Sequence, residues 1–149
     1  MLKKRENGFT LPELLIAAVV FVLTFVGILL SYLRCMELNE MSKHSLTAVA
    51  AVKTKMEEIK NTDFNDIFAD YDDQTFTANG INGKGVIYID DSNSDLLKIT
   101  IPFCWKQTSG IIVGEDENLN GQLDSGEDKN GNGMIDSIVE AVSYVYNTQ

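Results

Sequence analysis

The chain has 149 residues and a formal net charge of −10, a length that suits one modest domain. Residues 1–8 carry a net charge of +2, so the remaining residues carry −12. The strong negative charge of these residues argues against binding to the phosphates of nucleic acids. It favours binding to metal ions or basic partners, or it serves only to keep the protein soluble. Cys35 and Cys104 lack Cys-x-x-Cys spacing, and a disulfide between them would be possible only outside the cytoplasm. We do not expect one, because Cys35 lies just beyond an apolar run and Cys104 lies far from it in the sequence.

An uncharged apolar run covers residues 14–33. As a helix it would extend about 30 Å, enough to cross the core of a bilayer. The basic residues Lys3, Lys4 and Arg5 predict a cytoplasmic N-terminus, with the rest of the chain outside. A cleaved secretory signal fits poorly, because no Ala-x-Ala-like site follows the run. A plain signal anchor leaves two features unexplained, the acidic Glu13 beside the run and the Gly8-Phe9 junction. A charge near the bilayer interior costs about 2.5–3.5 kcal/mol, so it usually has a partner.

The stretch GFTLPE, residues 8–13, followed by an apolar run resembles the class III signal of type IV pilins and type II secretion pseudopilins. The resemblance implies that a prepilin peptidase cuts after Gly8 and methylates Phe9. It also implies that Glu13, the fifth mature residue, pairs with the N-terminal amine of a neighbouring subunit during assembly. Its implied partners are that peptidase, other pilin or pseudopilin subunits and an inner-membrane assembly platform. Pro12 departs from the usual Ile or Val, but a first helical turn tolerates proline.

Beyond the run, apolar and small residues recur every three or four positions as far as Ile59. We therefore predict one helix from the membrane to Lys60, with its apolar stripe covered by the head. The stretch MEEIKNTDFNDI, residues 56–67, resembles the minor pilin and minor pseudopilin branch. The expected segments are a leader at 1–8, a transmembrane part at 9–33, an amphipathic stem at 34–60 and a β-rich head at 61–149. The predicted fold is α+β and pilin-like: a long N-terminal helix packed on a small antiparallel sheet.

In the head, four segments read as strands: residues 85–89, 97–105, 111–113 and 138–146. Pro102 suggests that its strand is an edge strand or contains a bulge. Trp105 is expected to contribute to packing, and His44, the only histidine, to be a solvated surface residue on the stem.

An acidic segment matches the EF-hand calcium loop D-x-N-x-N-G-x5-E from residue 116 to residue 127, named loop 1 here. Carboxylate and amide oxygens alternate, a glycine permits the sharp turn at position 6, and position 7 offers its backbone carbonyl. The candidate ligands of loop 1 are Asp116, Asn118, Asn120, Gln122, Asp124 and Glu127.

The pattern repeats in phase over residues 128–139, named loop 2 here. Its candidate ligands are Asp128, Asn130, Asn132 and Asp136, but position 12 is Val139, and Glu140 comes one residue late. We therefore expect one Ca²⁺ in loop 1 and leave open whether loop 2 binds its own ion or only supports loop 1. The competing interpretation is a solvated acidic turn. With asparagine at positions 3 and 5, the expected affinity is weak, about 10⁻⁴ to 10⁻³ M.

These features favour a structural filament subunit, anchored in the inner membrane with its head periplasmic or extracellular. The alternatives are a filament-tip adhesin or a module that binds a secreted substrate or DNA, and a plain membrane-anchored calcium-binding protein. An enzyme is disfavoured, because a single histidine and no Ser-His-Asp, Cys-His or zinc-type cluster leave little from which to build a catalytic site. Binding to nucleic acid is not expected.

Overall fold

The computed structural model describes residues 8–147. The chain divides into two compact units, whose described parts are residues 8–39 and residues 40–147. Helix α1 (Leu11–Lys60) contributes residues 11–39 to the first unit and residues 40–60 to the second. Of the predicted leader, only Gly8 falls within the described residues.

In the first unit, α1 is an exposed apolar helix in which two hydroxyl side chains bond to the backbone of the helix itself. The Thr24 hydroxyl donates to the Val20 carbonyl at 2.7 Å, and the Ser31 hydroxyl donates to the Gly27 carbonyl at 2.9 Å. Such bonds to the preceding turn let these two hydroxyls enter a hydrocarbon environment with a partner. Among the described residues, α1 is the one helix long and apolar enough to cross a membrane by length and composition.

In the second unit, the remainder of α1 packs one stripe of side chains into the core. The buried residues of that stripe are Ala48, Val52, Met56 and Ile59. The predicted helix, with its end at Lys60, is confirmed. The covered stripe is shorter than predicted, however, because Met41 is still 36% exposed and burial begins at Ala48.

His44, expected at the surface, is instead mostly covered. Its side chain is 15% exposed, and its Nδ1 lies 3.9 Å from Oε1 of Glu40. The same Glu40 oxygen accepts the backbone N–H of Thr108 at 2.8 Å. Hydrogen bonding to Thr108, through its side chain first and its backbone N–H second, lowers the pKa of the Glu40 carboxyl. The prediction for His44 was wrong because the loop that carries Thr108 packs against this part of α1.

A second helix, α2 (Phe64–Tyr71), follows α1 and was not predicted. Its apolar side chains Phe64, Ile67, Phe68 and Tyr71 recur with helical spacing, and Ile67 is fully buried in the same core as α1. A short strand, β1 (Thr75–Phe76), comes next and was also missed.

The sheet is antiparallel and centres on one long strand. Its remaining strands are β2 (Gly83–Val86), β3 (Tyr88–Asn93), β4 (Leu96–Lys106), β5 (Ile112–Val113) and β6 (Glu140–Tyr146). The strand order is β1-β2-β4-β3, and β5 and β6 also pair with β4. The predicted α+β arrangement of a long helix on an antiparallel sheet is confirmed.

Pro102 explains why the single strand predicted at residues 85–89 is two strands. β4 pairs with β2 and β3 in one continuous register, which places residue 102 opposite Val86. Lys106 donates to Asn82 on that side and Phe103 donates to Val139 on the other, so the N–H that Pro102 lacks would point toward Val86. The ladder breaks at that point, and Ile87 bonds instead with Asp73 and Gln74. The edge-strand expectation for Pro102 was wrong, because β4 is the central strand.

Both faces of β4 are covered. Ile99, Ile101, Phe103 and Trp105 face the core shared with α1 and α2, and Trp105 is fully buried, as its predicted packing role requires. The opposite face carries Cys104, which packs with Val86 and Ile135 in a second, smaller cluster. Ile135 belongs to loop 2, so the acidic segment forms the cover of this second face.

Candidate functional site

The N-terminal candidate residues lie in an accessible segment that runs from just before α1 into its first turn. Phe9 is 85% exposed, and a Cβ on Gly8 would meet nothing within 4 Å. Pro12 is the second residue of α1, where a missing N–H costs nothing. Glu13 lies in the first helical turn and is exposed, with the Thr10 hydroxyl 3.5 Å from its Oε2. The described part of this segment therefore presents a free Gly8–Phe9 junction and an accessible acid on one short stretch.

Loop 1 is organised around the carboxylate of Asp116. Asp116 is fully buried, and its two oxygens accept the N–H groups of Asn120 at 3.0 Å and Gly121 at 2.8 Å. The side-chain amides of Asn118 and Asn120 both donate to Asp124 Oδ2, at 2.7 and 2.8 Å. The structure thus brings four of the predicted ligands of loop 1 into one hydrogen-bonded group.

The turn of loop 1 depends on glycine at its sixth position. Gly121 has φ of +79°, and a Cβ there would lie 2.5 Å from Cγ2 of Thr75. Gln122 donates its N–H to Asn120 Oδ1 at 2.6 Å. Lys84 anchors the loop to the sheet by donating from Nζ to the Asn120 carbonyl at 3.1 Å.

Loop 2 repeats these contacts. Asp128 accepts from the N–H groups of Asn132 at 3.2 Å and Gly133 at 2.9 Å, and the amides of Asn130 and Asn132 both donate to Asp136 Oδ2. The φ angle of Gly133, +77°, matches that of Gly121. The repeat seen in the sequence is therefore also a repeat in three dimensions.

The eighth positions of the two loops, Leu123 and Ile135, are apolar, as a short pairing segment would need. In the described residues neither lies in a strand. Both instead pack on the cluster around Cys104 and Val86, and Tyr88 accepts the N–H of Ile135 on its hydroxyl at 3.1 Å. Burial raises the pKa of the Tyr88 hydroxyl and that of the Cys104 thiol.

Three carboxylates of the segment are buried: Glu115, Asp116 and Glu127. Within the described residues, no ion pair joins any of the three to a basic side chain. The nearby Lys129 pairs instead with Glu117 at 3.2 Å. Buried carboxylates are costly unless a positive charge or several hydrogen bonds compensate them. Backbone N–H groups supply that compensation in this structure, because both oxygens of each of the three carboxylates accept one.

The two loops offer the kind of donor atoms that calcium requires. Every candidate ligand offers oxygen, which is the ligand atom that Ca²⁺ prefers. No group of three or more His, Cys, Asp or Glu among residues 8–147 lies close enough together to hold a metal ion through those side chains alone. Carboxylates mixed with amide oxygens are still the composition of an EF-hand loop, so the residues fit Ca²⁺ and would not form a zinc-type site.

One residue of the site was not predicted. Glu115 accepts the N–H of Lys129 on Oε1 and that of Asp136 on Oε2, both at 3.2 Å. It precedes loop 1 but bonds to loop 2, and the linear twelve-residue pattern gives no signal for such a contact.

Comparison with known families bears on the N-terminal segment. Residues 3–29 match the family described as the prokaryotic N-terminal methylation motif. The chain carries a class III prepilin signal. This methylation motif indicates a prepilin-peptidase substrate of the type IV pilin and pseudopilin kind, and with the apolar α1 it fits an inner-membrane-anchored, filament-forming protein. The motif points to a structural subunit and not to an enzyme. A search of curated proteins and a search of solved structures found no match to the chain.

Proposed function

We propose that this chain is a minor subunit of a type IV pilus or a type II secretion-like filament. The prepilin peptidase cuts it after Gly8, its N-terminal helix assembles with other subunits, and calcium stabilises its head. The observation that carries the proposal is the methylation motif at residues 3–29, continuous with an exposed apolar helix.

The first helical turn supports assembly through the N-terminus. Glu13 is exposed at the start of an otherwise apolar stretch. A carboxylate at such a place is a liability for a lone subunit, and the ammonium group of a neighbour's new N-terminus would neutralise it. Docking is then selective for processed subunits, since an uncut chain lacks the amine at that position.

The charges at the N-terminus support the orientation. Lys3, Lys4 and Arg5 favour a cytoplasmic N-terminus, so the acidic head would lie on the periplasmic or extracellular side. Weak calcium loops are typical of extracellular modules, which supports the same location for loops 1 and 2. The resemblance of residues 56–67 supports the minor branch.

The calcium part of the proposal rests on the buried carboxylates. Asp116, Asn118, Asn120, Asp124 and Glu127 would hold an ion in loop 1, together with the backbone carbonyl of Gln122. A bound Ca²⁺ supplies positive charge, and the role of the loops is to cover the second face of the sheet. Calcium therefore acts on stability and not on catalysis.

The proposal is tested by the intact mass and N-terminal sequence of the membrane-extracted protein, produced with and without a prepilin peptidase. We expect a peptidase-dependent start at Phe9. G8L should block the cut, whereas G27L, at a glycine with open space around it, should leave the cut in place. A chain that still begins at Met1 in the presence of the peptidase would overturn the proposal.

A further inference from the structure

Glu115 and Glu127 make the same pair of contacts in different loops. Glu127 accepts the N–H of Glu117, at position 2 of loop 1, at 2.9 Å and that of Asp124, at position 9, at 3.0 Å. The two N–H groups that bond to Glu115 belong to Lys129 and Asp136, which are positions 2 and 9 of loop 2. In each case Oε1 accepts from position 2 and Oε2 accepts from position 9.

The residue at the twelfth position of loop 2 packs in the hydrophobic core and has no side-chain oxygen. Val139 is 6% exposed and belongs to the cluster formed by α1, α2 and β4. Its carbonyl accepts the N–H of Phe103 at 2.9 Å, so the chain has already joined the sheet at this point. Glu140 follows as the first residue of β6, opposite Pro102. A carboxylate that closes loop 2 must therefore come from another part of the chain.

We propose that Glu115 takes in loop 2 the place that Glu127 takes in loop 1, so that the two loops close each other and the head binds two calcium ions. This inference rests on the calcium part of the proposed function. It assigns an ion site to loop 2, whose status the sequence leaves open, and makes Glu115 a ligand of that site.

The arrangement is reciprocal along the chain. Glu127 closes loop 1 and directly precedes Asp128, the first residue of loop 2, whereas Glu115 closes loop 2 and directly precedes Asp116, the first residue of loop 1. Both glutamates are buried: Glu115 is 9% exposed and Glu127 is 6% exposed. A carboxylate has about four acceptor positions, and each glutamate uses two of them for N–H groups, so each retains capacity for a cation.

The inference is tested by calcium titration of the full chain in detergent micelles. The readouts are the stoichiometry by calorimetry and the amide resonances of Gly121 and Gly133 by NMR. Each of these N–H groups donates to the first aspartate of its own loop, so each reports on one site. With calcium chloride alone as the probe, we expect two ions per chain and a response at both glycines.

The decisive variants exchange one carboxylate for an amide. E115Q should move the Gly133 response to about 10- to 100-fold higher calcium and leave that of Gly121 near its original concentration. E127Q should do the reverse. E140Q is the control, and it should leave both responses in place. E115D keeps the charge on a shorter side chain, should weaken the Gly133 response less, and provides the test if E115Q does not fold.

The outcomes separate this inference from the proposed function. A wild-type response at Gly121 alone would overturn the two-ion assignment and leave calcium stabilisation standing. If neither glycine resonance responds at millimolar calcium, both the two-ion assignment and calcium stabilisation are overturned. An unchanged Gly133 response in E115Q, its loss in E140Q, or equal loss at both glycines in E115Q would overturn the role of Glu115.

Discussion

Gly114 lies directly against the thiol of Cys104: a Cβ on Gly114 would come 2.2 Å from Sγ of Cys104 and 2.9 Å from its Cβ. Gly114 also has φ of +109°, in a region that other residues rarely adopt. It is the residue that leads from β5 into Glu115 and loop 1. The entry to the acidic segment is therefore fixed against the second face of the sheet by a contact that only glycine permits.

The G114A variant should be destabilised on two counts. Strain at positive φ costs about 1–2 kcal/mol, and forcing a methyl group into a packed site costs about 1–3 kcal/mol. Urea unfolding should show a midpoint well below that of wild type. The control is G110A, because Gly110 has a similar φ of +88° but open space around its Cβ, and it should lose the first contribution alone. Equal losses in the two variants would contradict the close contact.

Removal of calcium should lower the thermal stability of the head. With a Kd of about 1 mM, 10 mM calcium adds about 1.4 kcal/mol of folding free energy for each ion bound. Scanning calorimetry with and without chelator measures the difference. D116N should lose most of the response of loop 1, and D70N, at an exposed aspartate of α2, should lose none. A wild-type transition that ignores calcium would exclude calcium stabilisation.

The stability of the head should depend on the ionisation of Glu140. Partial burial and the nearby charge of Asp136 raise the pKa of Glu140, against a smaller opposing effect of Lys98. A carboxyl whose pKa is higher in the folded state favours folding when protonated, so its ionised form destabilises the protein at neutral pH. E140Q should therefore be slightly more stable than wild type at pH 7, by less than about 1 kcal/mol because the residue is solvent-screened.

The difference for E140Q should vanish as the pH falls below the usual glutamate pKa. Asp90 is the control of opposite sign, because hydrogen bonds from Ser92 lower the pKa of Asp90. D90N should be less stable than wild type at neutral pH, and its deficit should disappear in acid. Denaturant midpoints from pH 3 to pH 8 measure both curves, and curves of the same sign would contradict these pKa directions.

Replacing Glu13 should separate processing from assembly. E13Q keeps the Gly8–Phe9 junction, so we expect cleavage at Phe9 as in wild type. The variant loses the charge that a neighbour's ammonium would meet, so its recovery in sheared filaments should fall at least about tenfold, equivalent to 1.4 kcal/mol. E37Q is the control, since Glu37 is an exposed acid of the same helix that pairs locally with Arg34. Normal assembly of E13Q would contradict the pairing.

The features that could be predicted are the elements whose apolar residues recur with the period of a helix or a strand. α1 and the alternating strand β4 follow directly from the spacing of their apolar residues, and both appear where expected. Phe64, Ile67, Phe68 and Tyr71 in α2 also have helical spacing. The run is only eight residues long and acidic residues interrupt it, so the helix was not predicted. Its burial was decided by packing on the core, which no local window contains.

The missed features depend on contacts between distant parts of the chain. Proline is typical of edge strands. Pro102 nevertheless lies in the central strand, because its missing N–H coincides with the gap between β2 and β3. Glu115 precedes a complete loop and acts on the following one. In both cases the sequence carries the residue, and the partner that explains it is known only from the fold.

The central position of β4 has a consequence for the order in which the head forms. β4 joins strands before it in the chain to β6, whose residues 140–146 lie near the end of the described chain. Pairings between such distant segments form late, because a long loop must close first. A head delivered from its N-terminal side therefore keeps β4 incomplete until its last strand arrives. If the head is exported as proposed, its sheet closes only after β6 has crossed the membrane, so the chain can be threaded through before it becomes rigid.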